Sequence, residues 1–339
     1  MSEKRIVFTS PCVAEFLDYE IGDPQENQVQ VRLMCSSVSS GTERANLMGS
    51  KTVAWNLPEA KEATFPVYIG YSSAGIVTKV GEGVTEFKEG DRVALSWSTH
   101  SHVLNMPKGY VHKLDDEISF SNGALTHIGT FPLAAIRKCR LEVGESAIVM
   151  GMGILGMFAV QLLKISGAAP IIAVDPDETK RKKAREIGAD YALDPYDPDF
   201  AKQAKKITGG GAKVGIEVTG IGAGLDGILD CMARFGRVAL LGCTRSSDFT
   251  IDYYRKVHGP GITLVGAHTN ARPIRDSFEG WWTEREDFEA ILKLTKLNRI
   301  DFSSLVEEVH SPEEATEVYT RLCNEKTFPI VQFDWSVLK

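Results

Sequence analysis

The sequence predicts an α/β fold in which a doubly wound parallel sheet adjoins a β-rich domain. The part of the chain before Ser121 alternates short apolar stretches with tight turns. After Ala124, short β-branched runs alternate with longer helical patterns, and a glycine-rich turn joins one such run to a helix. Strand–helix alternation of this kind is typical of a parallel sheet with right-handed crossovers.

The β-rich part is predicted from period-two patterning. Apolar side chains alternate with polar ones from Val29 to Cys35, as in a half-buried strand. The apolar run at 76–80 ends in the turn Gly81-Glu82-Gly83, and Glu89-Gly90-Asp91 precedes another apolar run. Turns next to strands indicate an antiparallel domain.

The parallel sheet is predicted from five short apolar runs with helical patterns between them. The predicted strands are 147–150, 171–174, 214–218, 238–241 and 262–265. The predicted helices are 154–166, 178–187, 198–208 and 223–233. The last part of the chain adds a helix near 287–297 and a strand at 330–333.

Composition limits the class of function. The chain has 339 residues, 43% of them hydrophobic, which predicts two globular domains at roughly 100–200 residues each. With 38 Lys+Arg and 45 Asp+Glu, the formal net charge is −7, so no nucleic-acid partner is expected. The expected partner is a small-molecule substrate.

The cysteines and apolar stretches favour a soluble protein in a reducing cytoplasm. Six cysteines without a Cys-x-x-Cys pair are too sparse for a disulfide framework. The uncharged stretch Ser146–Leu163 contains three glycines, which favour a strand, turn and helix over a membrane span. We expect no membrane segment and no secretory leader.

A glycine-rich turn follows the predicted strand 147–150 and opens a helix. Its residues are Gly151, Met152, Gly153, Ile154, Leu155 and Gly156, and Asp175 ends the next predicted strand. This context is the dinucleotide-binding fingerprint, in which glycines permit a tight turn, close approach of the pyrophosphate and helix–strand packing. The pyrophosphate then rests on the helix N-terminus.

Asp175 predicts NAD as the cofactor, because its carboxylate accepts ribose hydroxyls and repels a 2′-phosphate. The basic run Lys180-Arg181-Lys182-Lys183 is either a phosphate clamp for NADP or a solvated helix face, and the helix face is favoured. Lys180 is a candidate ribose contact. Further candidate cofactor contacts are Thr130, Thr219 and Gly242.

Four motifs in order resemble the medium-chain dehydrogenase/reductase superfamily: Ser40-Gly41-Thr42-Glu43, Gly70-Tyr71-Ser72, Gly90-Asp91-Arg92-Val93 and Gly151–Gly156. The combination is similar to a subgroup that includes bacteriochlorophyllide a dehydrogenase-like proteins. The resemblance implies a GroES-like domain from 1–127 and 268–339 with a Rossmann domain, 128–267, inserted in it. It also implies a homodimer or homotetramer.

The departures from that family concern its metal. Zinc members place a Cys, a His and a Cys or carboxylate where this chain has Ser40, Tyr71 and Thr126. Two hydroxyls and a phenol are poor zinc donors, and the family's four-cysteine lobe is missing, so we expect no metal. The alternative is a site rebuilt from His100, His102 and His127.

Without a metal, other groups must stabilise charge on the reacting oxygen. The candidates are Thr42, which matches the family's proton-relay hydroxyl, together with Tyr71 and His127; each has a purely structural alternative. Candidate substrate contacts are Ser40, Trp55 and Trp282, where the aromatic rings would either stack on a sugar or seal a domain surface.

The resulting hypothesis is a zinc-independent NAD(H)-dependent oxidoreductase that interconverts a secondary alcohol and a ketone on a polyol, sugar or cyclitol-like substrate. One alternative is an NAD(P)H-dependent reductase of a conjugated C=C bond, as in the superfamily's zinc-free quinone and enone reductases. The other is a cofactor-binding protein without catalysis.

Overall fold

A computed structural model describes residues 3–51, 59–244, 247 and 249–338. The chain forms two compact units. The first comprises Met1–Ile128 and Leu292–Lys339, and the second comprises Gly129–Ile291. The segment 268–291 therefore belongs to the second unit, whereas the sequence assigns it to the first domain. Its contacts explain the difference, because Arg272 bonds to Thr130 within the second unit.

The first unit is the predicted antiparallel β domain. Its strands are β1 Glu3–Ser10, β2 Val13–Tyr19, β3 Gln28–Ser37, β4 Val67–Tyr68, β5 Ser72–Val80, β6 Arg92–Ser96, β7 Val103–Pro107, β8 Val111–Lys113, β15 Glu308–His310 and β16 Val331–Asp334. One sheet has the order β15-β16-β3-β5-β6-β8, with β7 also paired to β3, and a second has the order β2-β1-β4.

The core of this unit follows from the alternation in β3. Val29, Val31 and Leu33 are fully buried, whereas Arg32 between them is exposed. They pack with Phe8, Tyr319 and other apolar side chains. Two helices complete the unit, α1 Ser40–Leu47 and α8 Ala315–Asn324.

The second unit contains the predicted parallel sheet, in the order β11-β10-β9-β12-β13-β14. Its strands are β9 Ala147–Met150, β10 Ile171–Val174, β11 Tyr191–Leu193, β12 Ala212–Glu217, β13 Met232–Leu240 and β14 Thr263–Gly266. Its helices are α3 Ile154–Ile165, α4 Glu178–Ile187, α5 Phe200–Ile207 and α6 Gly222–Asp230. The α/β class with a Rossmann sheet and a GroES-like domain is thus confirmed.

The register of the sheet aligns the ends of three strands. Met150 of β9 lies beside Val174 of β10 on one side and beside Glu217 of β12 on the other. Because these strands are parallel, the turns that follow them meet at one edge of the sheet. The glycine-rich turn, Asp175 and Thr219 are therefore brought together.

Two helices contain the boundaries between the units, α2 Phe120–Lys138 and α7 Glu284–Lys296. The sequence pattern did not predict α2, which holds Gly123, Gly129 and Pro132. Residues that usually interrupt helices are tolerated here because burial of the helix outweighs local propensity. Helix α8 was not predicted either.

Cys12 and Cys323 form a disulfide across 311 residues, with Cα atoms 5.9 Å apart. The pair joins the turn after β1 to the end of α8. The expectation of reduced cysteines did not anticipate it, because residues so far apart in sequence meet only through the fold. Within the described residues, no helix is long and apolar enough to cross a membrane.

Candidate functional site

The turn after β9 needs glycine for two separate reasons. Gly151 has φ +99°, a conformation that favours glycine, and a Cβ there would lie 2.9 Å from Cγ2 of Thr219. A Cβ on Gly156 would lie only 1.9 Å from the carbonyl oxygen of Gly151. These two glycines let the turn and α3 pack directly against the sheet.

Gly153 has a different position. It is the N-cap of α3, it is exposed, and a Cβ there would meet no described atom within 4 Å. The open space lies at a helix N-terminus, where unpaired N–H groups and the dipole favour an anion. Ile154 and Leu155 form the first turn of that helix.

Asp175 directly follows β10 and is 8% exposed. Its Oδ2 accepts a hydrogen bond from the N–H of Met152 at 2.7 Å, and its Oδ1 accepts one from the N–H of Asp177 at 2.9 Å. The carboxylate therefore fixes the glycine-rich turn as well as ending the strand. Each oxygen keeps lone-pair capacity for a ribose hydroxyl.

The basic run lies in α4 and is partly engaged within the protein. The Arg181 guanidinium donates to the carbonyl oxygens of Asp175 and Pro176 at 2.7 and 2.8 Å. Asp177 caps α4 and accepts hydrogen bonds from the N–H groups of Thr179 and Lys180. This cap, which sequence analysis missed, places a second carboxylate next to Asp175. Lys180 is half-buried in the first turn.

Two more of the predicted cofactor contacts lie across the sheet edge. Thr219 follows β12, and its N–H and hydroxyl both donate to Glu217, whose carboxylate also accepts the Gly220 N–H at 3.1 Å. Gly242 packs so tightly that a Cβ would lie 2.3 Å from the Gly220 nitrogen. Burial raises the pKa of Glu217. Sequence analysis did not single out this carboxylate.

Thr130, the third of these, is fully buried in α2. Its carbonyl oxygen and hydroxyl accept hydrogen bonds from the Arg272 guanidinium at 2.9 and 3.1 Å. The structure thus places Thr130 in a polar network with Arg272, which sequence analysis also missed.

In the first unit, neutral hydroxyl and phenol groups stand at the three positions where, by the resemblance, zinc members carry metal ligands. Ser40 begins α1, and the Thr126 hydroxyl donates to the Asn122 carbonyl oxygen of its own helix at 3.1 Å. The Tyr71 phenol hydrogen-bonds to the hydroxyls of Ser39 and Thr42. Such a set does not fit zinc, which binds thiolate, imidazole or carboxylate.

Burial raises the pKa of Tyr71 to about 12, with the charge of Glu43 acting in the same direction. The phenol therefore stays protonated through the neutral and mildly alkaline range. It can donate a hydrogen bond to an oxygen atom but cannot serve as a base there.

His127 is fully buried beside Tyr71. Its Nδ1 lies 2.7 Å from the carbonyl oxygen of Tyr71 and 3.3 Å from the backbone nitrogen of Trp97. Because a carbonyl oxygen only accepts, the shorter contact places a hydrogen on Nδ1, and in the neutral ring Nε2 is then the acceptor nitrogen. The rings of Tyr71 and His127 are 5.6 Å apart, and Trp97 lies 4.7 Å from His127. Trp97 was not predicted; it has φ +57°, and its backbone N–H donates to the same carbonyl oxygen.

The other two histidines of the alternative metal site are engaged elsewhere. His100 Nε2 lies 3.3 Å from Glu43, and its Nδ1 bonds to Ser36 at 2.7 Å. His102 Nδ1 lies 2.7 Å from Glu3. In the part of the chain that the structure describes, no group of three His, Cys, Asp or Glu residues could hold a metal ion.

The candidate substrate residues are distributed unevenly. Ser40 is half-buried at the start of α1 beside Ser39. Trp282 belongs to the second unit, is 38% exposed, and carries the Arg137 guanidinium 3.5 Å from its ring centroid. One face of Trp282 is thus occupied by a cation. Trp55 lies outside the described residues.

Two family models match adjacent parts of the chain. The Alcohol dehydrogenase GroES-like domain matches residues 25–160, and Zinc-binding dehydrogenase matches residues 155–293. Among curated relatives, D-guloside 3-dehydrogenase of Escherichia coli (strain K12) is 24% identical over 95% of this chain and 96% of its own. (R,R)-butanediol dehydrogenase of Bacillus subtilis (strain 168) is 32% identical over 47% of this chain and 53% of its own.

Solved structures share the fold over 98% of this chain and 99% of theirs. The 2R,3R-butanediol dehydrogenase of Bacillus subtilis has a TM-score of 0.81 and 23% identity. An alcohol dehydrogenase from Escherichia coli CFT073, solved with NADH, has a TM-score of 0.81 and 16% identity. A protein from Sinorhizobium meliloti 1021, bound to NADP, has a TM-score of 0.81 and 18% identity.

Proposed function

Because the chain belongs to the medium-chain dehydrogenase/reductase superfamily, we propose that it is an NAD(H)-dependent oxidoreductase that works without catalytic zinc. Its substrate is a polyol, sugar or cyclitol-like compound, on which it interconverts a secondary alcohol and a ketone. The proposal is carried by the acidic glycine-rich turn at Asp175 in the second unit, and within the first unit it is supported by the hydroxyl-lined position at Tyr71. The bacteriochlorophyllide a dehydrogenase-like subgroup stays a prediction.

The residues of the second unit fit a nicotinamide dinucleotide. The N-terminus of α3 and the open space at Gly153 receive the pyrophosphate, and Asp175 accepts the adenosine ribose hydroxyls. When bound, the nicotinamide supplies the chemistry of hydride transfer. NAD rather than NADP follows from charge, since Asp175 and Asp177 would both repel a 2′-phosphate.

The substrate class rests on the relatives. The matched curated proteins are named for dehydrogenation of a guloside and of butanediol. Both names denote compounds with a secondary alcohol, so an alcohol or polyol is the class that the comparisons support for this chain.

The first unit supplies the groups that handle the substrate oxygen. Tyr71 is held protonated by burial, and its O–H donates to the Ser39 hydroxyl in the structure. When substrate binds, this O–H turns to donate to the substrate oxygen, while the hydroxyls of Ser39 and Thr42 orient the phenol. His127 is oriented through Nδ1 by the Tyr71 carbonyl, so Nε2 is the nitrogen that accepts a proton. Ser40 and Trp282 remain proposed substrate contacts.

The test is turnover by metal-depleted protein. Purified protein is dialysed against a chelator, its zinc content is measured, and a panel of polyols, sugars and cyclitols is assayed with NAD for NADH absorbance. We expect turnover with less than one zinc per chain and no gain when zinc is restored. Stoichiometric, chelator-resistant zinc would contradict the metal-free part.

The same assay separates the alternatives. Enones and quinones outperforming polyols and ketones would replace the proposal with a double-bond reductase. A protein that binds NADH but turns over no member of either panel, with Tyr71→Phe behaving as wild type, would support cofactor binding without catalysis.

We further propose a homodimer or homotetramer. Strand β14 ends the six-stranded sheet, and it pairs with β13 alone among the described strands. Its Leu264 is 38% exposed, which is unusual in a parallel sheet. Light scattering coupled to size exclusion gives the mass directly. A cytoplasmic location stays a prediction.

A further inference from the structure

A cluster of buried charges lies in the second unit, in side chains that the proposed reaction does not use. Arg137 and Lys138 end α2, Arg272 follows β14, and Asp287 lies near the start of α7. Asp287 is fully buried, Lys138 is 7% exposed, and the Arg272 side chain is 5% exposed. We call these four residues the charge cluster.

The single carboxylate of the charge cluster is shared by its two arginines. Asp287 Oδ1 lies 2.9 Å from Arg137 Nε, and Oδ2 lies 3.1 Å from Arg272 Nη1. The charge of Glu284 also acts on Arg272, and that of Glu286 on Arg137. The Arg272 guanidinium also donates hydrogen bonds to the carbonyl oxygens of Thr269 and Thr130. Asp287 acts on Lys138 through its charge, and the structure gives no hydrogen bond between the two.

Lys138 has no hydrogen-bond acceptor for its buried Nζ within the described residues. Its nearest aromatic neighbour is Trp281, whose ring centroid lies 4.7 Å away. The ionisable groups that act on it are Arg272, Asp287 and Cys139, and Lys138 in turn acts on His268. Burial, then the charge of Arg272, lowers the pKa of Lys138 to about 8, so the ammonium form still predominates at neutral pH.

An unpaired buried ammonium is costly, and an anion at the same place removes that cost. The carboxylates of Asp287, Glu284 and Glu286 act on the two arginines, whereas the Lys138 ammonium has no hydrogen-bond acceptor among the described residues, and a phosphate oxygen would supply one. Guanidinium groups bind phosphate oxygens with two parallel hydrogen bonds, and lysine adds a point charge. Arg137 stacks on the ring of Trp282, and Trp282 is 38% exposed. The edge of the cluster therefore lies near the surface of the unit.

We propose that the charge cluster binds a phosphate group through Lys138, with Arg137 and Arg272 as flanking donors. The ligand is inorganic phosphate or the phosphate of a small phosphorylated metabolite. The proposal does not depend on the proposed reaction, although Arg137 stacks on Trp282 and Arg272 bonds to Thr130, two residues proposed above as substrate and cofactor contacts.

The first experiment measures thermal unfolding of wild-type protein in a phosphate-free buffer, titrated with phosphate, with glycerol 3-phosphate, or with chloride at matched ionic strength. We expect a rise in the unfolding midpoint of about 4 °C or more at saturation for a phosphate-bearing probe, with no comparable rise in chloride. A larger response to glycerol 3-phosphate identifies an organic phosphate as the source. Equal midpoints in phosphate, glycerol 3-phosphate and chloride overturn the proposal.

The second experiment uses Lys138→Met, with Lys202→Met as the matched control, since Lys202 has a side chain that is 84% exposed. Without phosphate, Lys138→Met should unfold at a higher temperature than wild type, because the unpaired charge is gone. Phosphate should then stabilise wild type and Lys202→Met but not Lys138→Met, with affinity lower by about tenfold or more. An unchanged phosphate response in Lys138→Met overturns the proposal, and Lys138→Gln repeats the test should the methionine variant not fold.

Discussion

The dinucleotide turn and the Tyr71 position differ in what holds each site together. At the turn, backbone geometry dictates the residue types: Gly156 has no room for a Cβ, and Asp175 bonds to the Met152 N–H. At the Tyr71 position, side chains bond to side chains, as Tyr71 does to Ser39 and Thr42. At the first site, Gly156 is constrained directly by backbone, because an added Cβ would lie 1.9 Å from the Gly151 carbonyl oxygen. The second depends on contacts between side chains, so its residue types are less constrained by the backbone.

The substitution with the largest expected effect disrupts the dinucleotide turn. Gly156→Ala puts a methyl group within 1.9 Å of the Gly151 carbonyl oxygen, so the turn must shift. We expect NADH affinity to fall by about 100-fold, measured by nicotinamide fluorescence, with lower stability from overpacking.

Gly153→Ala is its matched control, because a Cβ there meets no described atom within 4 Å. Its unfolding midpoint should stay near that of wild type while NADH binding weakens, since the methyl group takes the space of the pyrophosphate. Wild-type NADH affinity in Gly156→Ala would contradict the proposed position of the cofactor.

The substitution with the next largest expected effect removes the hydrogen-bond donor at the Tyr71 position. Tyr71→Phe removes the hydrogen-bond donor without changing ring packing, so kcat should fall by about 100-fold while the NADH dissociation constant is unchanged. Tyr68→Phe is the control, since Tyr68 is 51% exposed and stacks on Arg5.

The pH dependence of kcat sharpens this test. Because the pKa of Tyr71 is raised to about 12, its phenol does not ionise over the neutral range. Tyr71→Phe should therefore lower the pH–rate profile without moving its inflections. A shifted alkaline limb would show instead that the phenol acts as a base.

The sequence predicts most of the dinucleotide site and little of the Tyr71 position. Strands 147–150 and 171–174 have the predicted bounds, because fully buried β-branched runs bounded by turns have few alternatives. The partners of Tyr71 were not predicted: Trp97 reaches it through a strand-end conformation with positive φ, and the bond to Ser39 joins residues 32 positions apart.

Long-range pairing also explains the other omissions. Glu217 lies inside an apolar run, and its role becomes visible only once Thr219 folds back on it. The Cys12–Cys323 disulfide joins the two ends of the chain. Neither leaves a local signal in composition or periodicity, because each depends on contacts made by the whole domain.

The smallest expected effect concerns Glu217, the carboxylate that shapes the turn opposite Gly151. Since burial raises the pKa of Glu217, the folded state binds the proton more tightly than the unfolded state, and wild type should gain stability as pH falls toward the pKa of the unfolded chain. Glu217→Gln should lack that gain. Denaturant midpoints of both proteins, compared at neutral and mildly acidic pH, check the difference; parallel pH responses would contradict it.

The central claim is that the carboxylate at the end of β10 selects an unphosphorylated ribose. Parallel titrations of wild-type protein with NADH and NADPH test it most directly. Asp175→Ser is the variant that should reduce the difference in affinity between the two cofactors. We expect NADH to bind at least about tenfold more tightly, because a 2′-phosphate would face Asp175 and Asp177. Equal affinities, or tighter binding of NADPH, would contradict the claim.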